Sequence, residues 1–310
     1  MVWVADKQWE SEYIERILLQ DLPYDAVKEI APVARCNPPE NCLGDALAVI
    51  VGRAAYDQRW GEVPKLLKAA RERGITSIVI HISDENCNMD WSWYSDATLV
   101  VRQYWCEPQS LAANVITIPC GLKTGWNYTH SVISSMHRSC DWSFYGHIGG
   151  GMRTDARNRM MEEMRKVPGG CVPSLYLTTD EADAQKLSTA EYTARMCNTK
   201  IAPAPRGMGL ETFRFSEALE CGSIPIVDDG GKVFHKYMPG LHEHAIVTDT
   251  EWKKTINGEP LAEHITNLLR NPVNLERRRV AAQVWYRDYK RSLQSRIAEV
   301  IHSAKRPANM

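Results

Sequence analysis

From Ala46 onward the chain alternates short, β-branched apolar runs with amphipathic ones. "ALAVIVGR" (46–53), "WGEVPKLLKAARERG" (60–74) and "ITSIVIHIS" (75–83) predict strand, helix and strand. That order builds a parallel sheet, since parallel neighbours need a crossover between them. "ATLVVRQYW" (97–105) and "NVITIPCGL" (114–122) predict two further strands of the same sheet. A second series begins with "WSFYG" (142–146) and continues through "PSLYLTT" (173–179), "TKIAPAP" (199–205), "SIPIV" (223–227) and "HAIVT" (244–248), again interleaved with helical patterns. The last 40 residues carry Val280, Val284, Trp285, Tyr289, Leu293, Ile297 and Ile301 at helical spacing. The pattern divides the chain into an α/β domain over 1–135, a second over 136–270, and C-terminal helices over 271–310 that cap the second domain or cross back to the first. The fold class is α/β, with two Rossmann-like halves expected to face one another across a cleft, because no repeat or long Gly/Ser linker separates them.

One helix stands out. In "GLETFRFSEALECGSIPIVDD" (209–229), Glu211, Arg214 and Glu217 fall three apart along one side, while Phe213, Phe215, Ala218 and Leu219 supply apolar contacts elsewhere. Gly222 is placed to stop the helix, and "SIPIV" reads as a buried parallel strand ending at Asp228 and Asp229. Ligands of open α/β sheets bind near strand carboxyl ends and helix starts, so this charged row is expected at a site for a polar, phosphorylated ligand. "FYGHIGGGMRTDARNRMMEEMRKV" (144–167) also runs strand, Gly-rich turn, helix. Its glycines do not satisfy G-x-G-x-x-G, so it is either an ordinary domain-entry loop or a phosphate cradle, to which Arg153 and Arg157 would contribute.

Asp84 and Glu85 follow the strand "SIVIHIS" directly and precede the aromatic stretch containing Trp91, Trp93 and Tyr94. A carboxylate at a strand's end beside rings that stack on sugar faces suits a general base acting on a hydroxyl. The competing reading is a cap, in which Ser83, Asp84 and Glu85 only start a helix. Arg102, Tyr104 and Trp105 lie near the same edge, and Trp91, Trp93, Arg102 and Tyr104 are the residues expected to contact the molecule whose hydroxyl is deprotonated.

Composition narrows the function classes. Thirty-seven basic and 38 acidic residues give a net charge of −1 over 310 residues, so no global basic field exists to hold nucleic acid or an anionic membrane. The nine cysteines are scattered without C-x-x-C pairs and are expected as buried thiols of a reducing, cytoplasmic compartment. Charges from Asp6 onward leave no apolar run of about 20 residues, so a soluble chain without an integral membrane segment is expected. The sequon "NYT" (127–129) is read as chance. "DEAD" (180–183) lacks the phosphate loop a helicase needs, no D-x-D occurs, and "HEH" (242–244) has no acidic partner at ligand spacing, so no metal site is expected.

"WSFYG", "IAPAPRGMGLETFRFSEALECGSIPIVDD", "HISDE", "VRQYW" and "IPCGLKTGW" together resemble an exostosin-type glycosyltransferase, near the ribitol-linked and large algal-virus xylosyltransferases. The likeness spans about residues 80 to 250. It implies a GT-B fold, an inverting reaction without a catalytic metal or other cofactor, and a UDP-sugar donor held by the C-terminal domain. By matched position, Arg214 would neutralise the donor diphosphate and Glu217 would accept from the ribose hydroxyls. Gly209 and Thr212 complete the donor string, and Arg157 with Arg153 would assist the leaving group. Asp84 is the implied acceptor base, with Glu85 fitting the same role. The chain departs from the family at Cys120-Gly121, where Leu-Gly is usual, and in carrying no membrane anchor as animal members do. It is therefore expected to be a cytoplasmic, virus-encoded enzyme acting in a host cell. Its partners would be a nucleotide sugar and a glycan acceptor, and xylose is the expected sugar. A non-catalytic glycan-binding protein and a nucleotide-sugar epimerase on the same fold are the alternatives.

Overall fold

The computed structural model describes residues 2–5, 46–51, 62–123, 125–126, 132–146, 154–171, 187–207, 209, 211–228 and 233–304. They belong to two compact units, Met1–Pro119 with Lys290–Met310, and Cys120–Tyr289. "PSLYLTT", the Gly-rich turn at 147–153 with Arg153, "NYT", "DEAD" and Asp229 lie outside the described residues.

In the first unit, strands β1 (Val2–Ala5), β2 (Ala46–Val51), β3 (Thr76–His81), β4 (Leu99–Gln103) and β5 (Val115–Ile118) form a parallel sheet in the order β1-β2-β3-β4-β5. β1 is an addition, for the N-terminal segment was not read as a strand; Val2 and Val4 pair with Leu47 and Val49 of β2. Helix α1 (Glu62–Glu72) buries Val63, Leu66, Leu67 and Ala70, the i, i+3, i+4, i+7 stripe, into a cluster with Leu47, Val49, Val79 and Val100. Its polar positions, Lys65, Lys68 and Arg71, stay exposed.

In the second unit, β6 (Cys140–Trp142), β7 (Thr199–Pro203), β8 (Ile224–Asp228) and β9 (Ile246–Thr248) are parallel in the order β6-β7-β8-β9. The strand predicted from "WSFYG" sits two residues earlier, and that stretch is mostly its exit. On its other edge β6 meets the segment after helix α2 (Thr154–Met164): Trp142 and Gly170 form a parallel bridge, and the Cys171 N–H donates to Trp142 O at 2.9 Å. The chain thus turns one way after β6 and the other way at β7, which makes the β6/β7 carboxyl ends a topological switch point. Trp142, Phe144, Met160, Met164, Ile201, Ile224, Ile226, Trp252 and Leu261 fill the core.

Two helices flank β7. Helix α3 (Thr189–Cys197) starts with a capping box in which Ser188 and Glu191 satisfy each other's backbone N–H. Helix α4 (Phe213–Cys221) ends where Gly222 takes the left-handed conformation, φ 69 and ψ 26, and the Ser223 N–H returns to Ala218 O at 2.7 Å. Arg138 is 3% exposed and spreads its donors over the carbonyls of Ile133, Thr199 and Cys221, tying the amino ends of β6, β7 and β8.

Short helices α5 (Phe234–Tyr237) and α6 (Leu241–His244) precede β9, and α7 (Leu261–Arg270) and α8 (Pro272–Ala304) close the chain. In α8 the buried stripe is Leu275, Ala282, Tyr286, Tyr289, Leu293 and Ile297, whereas Val280 and Val284 are exposed at 44% and 40%. The predicted face is therefore rotated at its start, because valine's apolarity alone does not decide which side finds a partner.

The cysteine expectation is corrected. Cys87–Cys106 and Cys197–Cys221 are disulfides with Cα–Cα separations of 5.5 and 4.5 Å, while Cys120, Cys140 and Cys171 are free thiols. The argument for a reducing compartment loses its basis, since spacing in sequence cannot report which strand ends meet. No described helix is long and apolar enough to cross a membrane.

Candidate functional site

Of the donor-binding residues expected in the second unit, Arg214 lies at its switch point. β6 runs out through Ser143, Phe144 and Tyr145 to Gly146, and there Arg214 of α4 lies across it. Its Nε donates to Tyr145 O at 2.9 Å and its guanidinium stacks over the Phe144 ring at 4.8 Å. A Cβ at Gly146 would displace the Arg214 guanidinium from its place beside the Phe144 ring, so glycine there leaves room for the arginine as it stands. Both Nη groups of Arg214 carry no protein partner among the described residues, so the charge is positioned by one nitrogen and presented by two.

One turn further along α4, Glu217 is 3% exposed and accepts from the Tyr192 hydroxyl of α3 at 2.6 Å. Burial raises its pKa above the usual carboxylate value, opposed by Tyr192 and by the nearby Arg214 charge. Thr212 occupies the N-cap of α4 without capping it, and its buried Oγ1 has no partner among the described residues. Gly209 is buried, and Gly207 lies against Thr212. Arg157, in the second turn of α2, is half-buried.

Glu211 differs from the other two members of the charged row. It is 3% exposed, its carboxyl receives the Cys120 N–H and the Tyr237 hydroxyl, and burial pushes its pKa up to about 8. At neutral pH it is largely a neutral acid, and it braces the loop before α4 instead of presenting charge.

Arg206 was missed. It leaves the carboxyl end of β7, binds Asp228 at the end of β8 through Nε at 2.6 Å and through its backbone N–H at 3.2 Å, and keeps a buried Nη2 with no partner among the described residues. The signal was present in "APAPRGMG", a Pro/Gly-rich exit from a strand carrying one cation.

The acceptor-side residues of the first unit behave otherwise. Asp84 is 1% exposed; its Oδ2 accepts from Arg102 Nη2 at 2.5 Å, and its Oδ1 from the Asn88 and Met89 N–H groups at 3.1 and 3.3 Å. Arg102 is 0% exposed and also donates to Tyr104 O and to the Tyr94 hydroxyl, which itself meets His81 Nδ1. Burial and Arg102 push His81 down to about 3, so its ring stays neutral. Trp93 and Tyr104 are 2% and 4% exposed.

Three acceptor assignments are therefore corrected: Arg102, Trp93 and Tyr104 are interior groups, and a ring without an open face cannot stack on a sugar. Asp84 is a buried ion pair that also caps its own turn, the competing reading in modified form. Half-buried Glu85 and Trp91 are the members of the set that keep access to solvent.

No protein-family model matches the chain, and no curated protein does. Solved structures match over most of its length. TarM shares 12% identity at a TM-score of 0.52, covering 88% of this chain and 59% of that one. The pneumococcal O-GlcNAc transferase GtfA, solved with UDP and GlcNAc, shares 12% at 0.51, covering 87% and 59%. Sucrose-phosphate synthase from Thermosynechococcus elongatus shares 12% at 0.53, covering 87% and 76%. The chain thus spans about three-fifths of the length of TarM and GtfA. At such identity the likeness speaks for architecture, and it joins the two parallel-sheet units under one description: the chain has the GT-B fold.

Proposed function

We propose that the protein is a glycosyltransferase that moves a sugar, xylose by the sequence resemblance, from a UDP-sugar to a hydroxyl of a glycan acceptor, with inversion and without a divalent cation. The observation that carries this reading is Arg214, held by Tyr145 O beside a glycine that leaves it room, with both Nη groups without a partner among the described residues at a topological switch point. Arg206 Nη2 and Thr212 Oγ1 add unpartnered donors at neighbouring strand and helix ends. GtfA was solved with UDP and GlcNAc, and a TarM variant with UDP, which supports a nucleotide-sugar donor.

The chemistry sets the roles. As the acceptor oxygen bonds the anomeric carbon, the carbon–oxygen bond to the diphosphate breaks and the acceptor proton must leave. Glu85 takes that proton, and a single displacement with one base inverts the anomeric centre. Arg214, with Arg206 and Arg157, balances the charge gathering on the departing UDP, the work a metal does elsewhere. Glu217, carrying Tyr192 on one oxygen, receives the ribose hydroxyls. The two disulfides favour an oxidising compartment as the place of action.

The test is a thermal-shift series with UDP, UDP-xylose, UDP-glucose and UDP-GlcNAc in chelator. Stabilisation by UDP-sugars in chelator is expected, about 2.7 kcal/mol at a hundredfold excess over Kd. Stabilisation that vanishes on chelation removes the metal-free reading. A UDP-sugar altered with no acceptor present assigns an epimerase instead.

A further inference from the structure

A second cavity, of about 460 Å³, lies in the same unit at the far edge of its sheet from β6, beside the amino end of β9. Its walls include His244, Asn257, His264, Asn274, Arg277 and Arg278. Arg278 is half-buried there, donates through Nη2 to Ala245 O at 2.8 Å and lies 3.5 Å through Nη1 from His264 Nε2; its Nε is buried with no partner.

No carboxylate among the described residues pairs with Arg278. Glu259 is engaged by His264 Nδ1 at 2.6 Å, Glu276 by Arg279 at 2.7 Å, and Glu243, at the exposed rim, lies 3.8 Å from His242. Burial alone lowers the Arg278 pKa, the mark of a cation enclosed without a counter-charge. His244 stacks on Trp285 at 5.3 Å and leaves its own Nδ1 buried and unpartnered. Arg277 is exposed, with one Nη on Asn274 Oδ1 at 2.7 Å. A half-buried arginine with no carboxylate partner is open to an anion from outside, and its planar guanidinium fork matches two oxygens at once.

We infer that this cavity binds an oxyanion carried on a ligand of about sugar size, the anion meeting Arg278 and Arg277 and the hydroxyls meeting Asn257 and Asn274. A bare sulfate would leave most of 460 Å³ empty, whereas that volume falls within the roughly 300–1,000 Å³ usual for small-molecule sites. The ligand is either a soluble sugar phosphate or an acidic residue of a glycan chain, which offer the same chemistry. The site is separate from the nucleotide crevice, which uses the carboxyl ends of β6 and β7.

Calorimetry on the full chain tests it, with glucose 6-phosphate, a sulfated oligosaccharide, and sodium chloride at matched ionic strength. Binding of at least one anionic sugar is expected in the unaltered chain and equally in Arg214→Ala. Arg277→Gln, at an exposed position that leaves the fold intact, should weaken it by about tenfold, and Arg278→Lys by at least as much through loss of the fork. Tighter binding of the oligosaccharide identifies the glycan as the source, and tighter binding of glucose 6-phosphate the soluble ester. No binding above the chloride control, binding indifferent to Arg277→Gln, or binding lost in Arg214→Ala would overturn the assignment.

Discussion

Asp84 with Arg102, and Arg214 with Glu217 one turn along the same helix, both set an arginine near a carboxylate in a parallel-sheet unit, and they are finished in opposite ways: the first two form an ion pair, and the second two bond other groups. Arg102 spends its donors on Asp84, Tyr94, Tyr104 and the Cys106 sulfur, all inside the protein. Arg214 has one protein hydrogen bond among the described residues and two nitrogens left over. The first set organises a turn; the second leaves two guanidinium nitrogens without a protein partner among the described residues. Charge at a strand end therefore does not by itself mark a site, because a side chain whose donors are all spent inside the protein has nothing left to offer a ligand.

The sharpest way to break this contrast is to neutralise the two adjacent carboxylates separately. Glu85→Gln should cut sugar transfer by about 10²–10⁴-fold with UDP affinity unchanged, while Asp84→Asn keeps turnover per folded molecule. Initial rates normalised to the folded fraction decide it, and the reverse pattern returns the base to Asp84. Asp84→Ala should instead appear in urea unfolding, lowering stability by about 3–5 kcal/mol, because it strands Arg102 in the interior. A change below 1 kcal/mol would mean that the pair is not closed. Arg214→Ala should weaken UDP binding by about 2–4 kcal/mol with an unchanged melting curve in the absence of ligand, since that arginine completes no buried network.

The smallest effect concerns Glu211, whose pKa is raised from 4.5 to about 8 by burial. The folded chain holds this proton more tightly than the unfolded one, so the contribution is full below 4.5 and is lost as pH rises through about 8. The melting temperature should fall across that window, and Glu211→Gln should flatten the fall. An unchanged slope in the variant would place the titration elsewhere.

Much of the architecture was legible in the sequence because its causes are local. The stripe of α1, the Gly222 stop of α4 and the apolar runs of β2, β3, β4 and β8 each announce themselves within about ten residues. The surroundings of Arg214 were half legible for the same reason: Arg214 and Glu217 sit on one helical side, and Arg206 follows a strand. The acceptor side was not. Asp84 and Arg102 are 18 positions apart and meet only because β3 and β4 pair with His81 opposite Arg102. Cys87 and Cys106 join across the same two strand exits. Register is a property of the sheet, and no window along one strand contains it.

The Cys197–Cys221 disulfide joins the last residues of α3 and α4, the two helices that bring Tyr192 to Glu217. Neither helix can open without disturbing the other, so their amide protons should exchange with solvent as one cooperative unit, at a common rate set by a shared opening. After reduction the two sets should separate, α3 first, since it has the more exposed surface. With the disulfide intact, whatever steadies α4 would slow exchange in α3 by the same factor.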